Sequence, residues 1–209
     1  AATRYQSDDF RPMLWRTEDF GAHWTSIVGT GIAADHFTRV IRVDAERDGL
    51  LYCGTERGPY VSFDDGAHWR SLRADLPIVP VTDLAVRDGE LIAATQGRGY
   101  WILDGLEALR RFDHIADEPQ LLGTTPAYRV PMGHADKPRG AGENPLAGVV
   151  LRYWLDRVPE ASTEFRIEIR SADGKVLRAF EIKDRAPKEQ GPKDLIDSRD
   201  AQRFVLEPK

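Results

Sequence analysis

Short runs in which apolar and polar residues alternate, separated by turns rich in Asp and Gly, fill the first half of the chain and predict strands. In Tyr60-Val61-Ser62-Phe63, Val61 and Phe63 alternate with polar neighbours, as in a strand with two unlike faces. Asp64-Asp65-Gly66 then reverses the chain. Asp accepts hydrogen bonds from N–H groups of its own turn, and Gly supplies the positive φ of a tight reversal. Trp69 opens the returning strand with a large apolar plate that covers the turn and docks on a neighbouring sheet. Around this corner, residues 37–76 read as one unit: strands at 38–43, 50–55 and 59–62, and a fourth beginning at 70–72. Residues 81–116 repeat the plan, with strands at 83–86, 90–95, 100–103 and 109–115. Residues 1 to about 30 supply only strands at 13–16 and 25–28, so the sequence is expected to begin inside a repeat.

The corner itself recurs. Thr17-Glu18-Asp19-Phe20-Gly21-Ala22-His23-Trp24 matches Ser62 to Trp69 with Asp, Gly, His and Trp in the same places, a shift of 64 − 19 = 45 residues. A worn third copy is read at Tyr100 to Phe112, with Asp104 set against Asp64 at a shift of 104 − 64 = 40. Self-similarity at 40–45 residues, one sheet's worth of chain, is the signature of propeller blades. The reading is therefore all-β: a partial β-propeller of about two and a half four-stranded blades over residues 1–116. Asp19, Gly21, Trp24, Asp64, Gly66 and Trp69 are its structural corner residues.

Ser/Thr-x-Asp-x-Gly-x-x-Trp resembles the Asp box of sialidase-like, sortilin-like and xyloglucanase-like propellers. The runs His36 to Arg42, Gly49 to Glu56, Leu76 to Ala85 and Ala94 to Asp104 resemble the last blades of large bacterial BNR-repeat, sortilin-like propeller proteins, often named glycosyl hydrolases. Gly142-Glu143-Asn144-Pro145 and Ile169 to Phe180 resemble the Ig-like domain that follows the propeller there. The resemblance covers nearly the whole chain and implies the C-terminal piece of a secreted, periplasmic or cell-envelope protein. Two departures stand out: family members usually carry His where Gln96 stands and Asp where Gly105 stands.

From Asp117 to Ala147 the texture changes to a Pro- and Gly-rich linker, and every lysine lies at or beyond Lys137. Tyr128 and Val130 within it are candidates to dock on the propeller. Residues 148–209 then alternate again. Phe165, Ile167 and Ile169 mark one face of a half-buried strand, and Ser171-Ala172-Asp173-Gly174 makes a hairpin turn into 175–182. Lys183 to Gln202 is polar, and Arg203 to Leu206 is a last short strand. This predicts a small Ig-like β-sandwich. Its apolar faces are too few to close, so the chain is expected to stop before the domain does.

Composition narrows the function. A net charge of −5 with 30 % charged residues lacks the concentrated basic face that nucleic acid requires. No window approaches eighteen apolar residues, so no bilayer span is predicted, and Ala1-Ala2-Thr3-Arg4-Tyr5 does not read as a signal peptide. The single Cys53 sits in an apolar strand and is read as a buried, inert thiol. No Cys or His spacing fits zinc, so no metal or cofactor is expected.

The adjacent acids Glu18-Asp19 and Asp64-Asp65 offer carboxylates, but glycoside hydrolysis needs a facing pair across a cleft, and these lie in hairpin corners. No catalytic residue is assigned. Arg57 and Arg98, in the Gly-bearing turns, together with Trp101 and Asp104, are the candidate ligand-binding residues. Glu56 and Asp83 are further candidates to line a glycan groove, and Trp15 a further ring to stack on sugar or between blades. The expectation is a non-catalytic module that binds glycan or protein and completes itself with other blades of its parent. The alternative is part of a glycoside hydrolase whose acids lie in blades outside this chain.

Overall fold

In the computed structural model, which describes residues 1–4, 7–112, 118–124, 127, 148–155, 166–182 and 206–208, the alternating runs form small antiparallel sheets in chain order. β1 (Ala2–Arg4) pairs with β2 (Asp9–Met13), and β3 (Trp15–Arg16) with β4 (Thr25–Ser26). A four-stranded sheet follows in the order β5 (Thr38–Val43), β6 (Leu51–Thr55), β7 (Gly58–Ser62), β8 (Arg70–Ser71). The next has three strands, β9 (Val81–Arg87), β10 (Glu90–Thr95) and β11 (Gly99–Asp104), and leads into helix α1 (Leu106–Arg111). Beyond these, β12 (Gln120–Gly123) pairs with β13 (Arg152–Trp154). The last sheet joins β14 (Arg166–Arg170), β15 (Val176–Ile182) and β16 (Leu206–Pro208).

The two central strands of the β5–β8 sheet, β6 and β7, are covered on both faces, and every one of their residues is buried. Strand geometry sends neighbours to opposite sides. Leu51, Cys53 and Tyr60 meet Leu14, Ile27 and Val28 of the β3–β4 unit. Leu50, Tyr52 and Val61 meet Val81, Leu84, Leu91, Ala93 and two helix residues, Leu106 and Leu109, on the other side. Three sheets are thus stacked face to face, and burial of their apolar sides is the main stabilising term. The approach is close. A Cβ placed on Gly54 would stand 2.6 Å from Val40 Cγ1 and 2.8 Å from Val81 Cγ1.

The first two units repeat at the spacing read from the sequence. Trp15 pairs with Ser26 as Tyr60 pairs with Ser71, and Arg16 with Thr25 as Val61 with Arg70. The third unit departs in two ways. Its expected fourth strand at 109–115 is replaced, over the described residues, by α1. Leu106-Glu107-Ala108-Leu109-Arg110-Arg111 is a run of strong helix formers, with Glu107 in the first turn and Arg110 and Arg111 in the last.

The second departure is one of register. The β6–β7 hairpin closes Thr55 against Gly58, whereas β10–β11 closes Thr95 against Gly99 with one residue more in the loop. Past that loop the shift is therefore 99 − 58 = 41. Leu103 stands across from Leu91 as Ser62 does from Leu51, so Asp104 occupies the place of Phe63 and Gly105 that of Asp64. A second bond agrees: Asp65 N–H donates to Gly49 C=O at 3.0 Å, and Leu106 N–H to Gly89 C=O at 2.8 Å. Asp104 is therefore not a third copy of the corner aspartate.

In the C-terminal part, Ser171-Ala172-Asp173-Gly174 forms the expected hairpin turn, with Gly174 N–H donating to Ser171 C=O at 2.9 Å. Ile167 on β14 is buried. Gln120–Gly123 falls in the stretch read as linker, yet forms a strand. Most of the remaining linker, with Tyr128, Val130 and Gly142 to Pro145, lies outside the described residues, as do Ile115, Phe165 and residues 183–205.

Gly54→Ala is expected to destabilise the fold by roughly 1–3 kcal/mol, because two stiff valines must move. Urea midpoints of variant and parent check this.

Candidate functional site

Each Asp-Gly-Trp corner is held by one hydroxyl and one carboxylate shared among backbone groups. In the first, Thr17 Oγ1 accepts from Gly21 N–H at 2.8 Å and donates to Asp19 Oδ1 at 2.9 Å. Asp19 Oδ1 also accepts from His23 N–H at 2.8 Å, and its Oδ2 meets His23 Nδ1 at 2.5 Å. The second corner repeats this bond for bond: Ser62 Oγ with Gly66 N–H at 2.9 Å and Asp64 Oδ1 at 2.9 Å, then Asp64 with His68 N–H at 2.8 Å and Nδ1 at 2.6 Å. Phe20 and Gly21 have φ of 57° and 97°, and Asp65 and Gly66 have 58° and 90°, so the reversals also coincide. The histidines, which the pattern alone placed at matching positions, are part of the device.

These bonds set the protonation of both acids. Asp19 is held below the ordinary carboxylate range, first by His23 N–H and then by the His23 ring. At Asp64 partial burial pushes upward, but the bonds from His68 N–H, the His68 ring and Ser62 outweigh it and the net shift is down. Both carboxylates are spent inside their own turns. This suits a fold device, with the two carboxylates engaged locally in place of facing one another across a cleft.

The two corners differ in what covers them. Trp69 is buried, and its indole N–H crosses to the Ile27 carbonyl of the first unit at 2.9 Å. Thr30 N–H donates to Ala67 C=O at 3.0 Å, and Trp69 N–H to Thr30 C=O at 2.7 Å, a parallel backbone seam. The seam needs glycine: a Cβ on Gly29 would lie 2.1 Å from Ala67 O, and one on Gly31 1.8 Å from Trp69 O. Trp24, by contrast, is 60 % exposed, and its indole N–H turns back to Gly21 C=O at 3.0 Å.

The candidate ligand residues fall at two ends of the sheets. Arg57 and Arg98 are both exposed, in the equivalent hairpins β6–β7 and β10–β11. Thr55 Oγ1 closes the first hairpin onto Gly58 C=O at 2.8 Å, and Thr95 Oγ1 the second onto Gly99 C=O at 2.6 Å. Trp101 lies beside Arg98, its indole N–H donating to the Arg98 carbonyl at 3.1 Å. Tyr100 next to it is 79 % exposed. Asp104 ends the same strand, five residues from Gly99 and hence about 16 Å away at some 3.3 Å per residue. The structure thus joins the Trp101 side chain to the Arg98 backbone at one end of β11 and leaves Asp104 at the other. Glu56 and Asp83 are engaged by Arg39 at 2.6 Å and Arg42 at 2.5 Å. Trp15 is 41 % exposed.

One polar cluster was not foreseen. Asp44, buried, accepts from Tyr52 Oη at 3.0 Å, from Glu46 and Arg47 N–H at 2.9 and 3.0 Å, and from Arg110 Nε at 3.0 Å. Arg110 also reaches Glu46 at 2.9 Å. Burial, reinforced by the Asp44 charge, raises the Tyr52 phenol far above its ordinary range. With so many donors on one carboxylate the cluster is a clamp tying α1 to the 44–47 loop, not a free acid. Its partners are 66 residues apart, and nothing in the local pattern could have joined them.

No group of three His, Cys, Asp or Glu side chains with metal-holding geometry occurs among the described residues. No helix among them is long and apolar enough to cross a membrane. Compared with protein families, curated proteins and solved structures, the chain has no significant match.

Trp69→Ala is expected to cost roughly 3–5 kcal/mol as a buried aromatic, and Trp24→Ala within about 0.5 kcal/mol as a surface change, read from denaturant midpoints. An aspartate with a lowered folded pKa stabilises above its unfolded value and loses that contribution as pH falls through the folded one. Stability is therefore expected to drop on acidification below about pH 4, and to drop less in Asp64→Asn, as measured by urea unfolding across that range.

Proposed function

We propose that the chain is a non-catalytic module of a secreted or envelope repeat protein: its stacked sheets are successive blades of a β-propeller, and residues 148–209 belong to an Ig-like sandwich. Its role is to bind a ligand, glycan or protein, at the hairpin end of the blades. The observation that carries this reading is that Arg98, Tyr100 and Trp101 are all exposed at the β10–β11 hairpin end, the two rings on opposite faces of β11, with Arg57 exposed at the same end of the adjoining sheet. An exposed cation and exposed rings at one strand end suit stacking on a sugar ring or capture of a peptide side chain. The spent carboxylates of Asp19 and Asp64 support the non-catalytic half. The face-to-face sheets and the two identical corners at a spacing of 45 residues support the propeller.

The test is a panel of immobilised polysaccharides and envelope proteins probed with the parent chain, Arg98→Ala and Trp101→Ala. Binding is expected in the parent and a loss of about tenfold in either variant, the scale of one stacking or cation–π contact. Equal binding by Trp101→Ala overturns the assignment of the hairpin end. Release of chromophore from aryl glycosides by the chain itself overturns the non-catalytic reading.

A further inference from the structure

The groups that carry the seam over the second corner recur at the first, where they are exposed among the described residues. Trp15 and Trp24 occupy the repeat places of Tyr60 and Trp69, since Trp15–Ser26 and Tyr60–Ser71 are equivalent pairs and the corners match bond for bond. Tyr60 and Trp69 are 7 % and 3 % exposed, sealed under Ile27, Val28 and the Gly29-Thr30-Gly31 backbone. Trp15 and Trp24 are 41 % and 60 % exposed. The groups that form the seam are also duplicated: Ala67 C=O and Trp69 N–H, bonded to Thr30, correspond to Ala22 C=O and Trp24 N–H. Among the described residues these two have no backbone partner.

We infer that the Trp15–Trp24 face is a docking site for the closing segment of a further repeat unit: an extended stretch of two apolar residues followed by Gly-x-Gly. Its chemistry is fixed by the occupied copy. Two branched apolar side chains cover the aromatic pair. A carbonyl before the first glycine takes the indole N–H, which leaves Gly21 C=O for it as Trp69 uses Ile27 C=O. The central residue of Gly-x-Gly pairs in parallel with His23, as Thr30 does with His68. Both glycines are required, because any Cβ there meets the corner backbone. A second copy of this chain is not the occupant, since its own segment of this kind is already committed to its own second corner. The inference rests on the repeat half of the reading proposed above, through the equivalence of the two corners, and is independent of ligand binding at the Arg98 hairpin.

The experiment titrates the full chain with a capped peptide of its own residues 25–33, Thr-Ser-Ile-Val-Gly-Thr-Gly-Ile-Ala, followed by tryptophan emission and calorimetry. Saturable binding with a blue shift of emission is expected, weakened at least about tenfold in Trp24→Ala, the loss typical of a buried aromatic anchor. A peptide with both glycines replaced by alanine is expected not to bind. Circular dichroism and an unchanged unfolding midpoint verify that Trp24→Ala is folded. Absence of binding at millimolar peptide, equal binding to Trp24→Ala, or equal binding of the alanine peptide overturns the inference. Concentration-dependent dimerisation of the parent that Trp24→Ala abolishes overturns the assigned occupant in favour of a second copy.

Discussion

Two-sided burial of β6 and β7, the central strands of their sheet, is the constraint on which the rest of the structure depends. A sheet with water on one face sends polar side chains there, but β6 and β7 have no such face, and both sides must be matched to neighbours. The spacing between sheets is then set by the bulk between them, which is why Gly54 sits opposite Val40 and Val81. A polar atom trapped in such a layer must find a partner. The Tyr52 hydroxyl does so at Asp44, and Asp44 in turn recruits Arg110 from the next unit. One buried phenol thereby links a strand, a loop and a helix that come from distant parts of the chain.

The corners show how a single local device serves two different settings. Within each, the hydroxyl, the carboxylate and the glycine make the same bonds to their own turn, and the geometry is indifferent to what lies outside. Only the tryptophan reads the surroundings. Given a neighbour it spans the gap to Ile27, and without one among the described residues it folds back on Gly21. The motif therefore specifies a reversal, while stacking between units is specified separately by the small residues of the 27–31 segment.

What the sequence disclosed follows from that division. The first two corners were legible because all their bonds fall within a few residues, and the pattern of Thr17 or Ser62, Asp, Gly and Trp is the bonding scheme itself. The third copy, set at Asp104 by its pattern, stands one position off in the structure. A single extra residue in the β10–β11 loop displaces everything after it, so that Gly105, not Asp104, holds the corner aspartate's place. With Leu103 for the hydroxyl and Gly105 for the carboxylate, nothing locks the reversal, and the helix-forming run beyond it prevails. The clamp at Asp44 and the seam over Ala67 were out of reach for another reason: each depends on which sheet faces which, and a strand pattern gives the parity of a face but not its neighbour. The hairpin arginines were visible as turn residues, but their common end emerges only from the antiparallel register.

Cys53 carries a consequence of this layering. Its thiol lies inside the doubly covered sheet, where desolvation pushes it up to about 12, so at neutral pH almost none is thiolate, the nucleophilic form. Electrophiles can reach it only when the stack itself parts. The lone sulfur is thus an internal gauge: the rate at which a thiol reagent marks the chain reports how often adjacent layers separate, without any label having to be introduced.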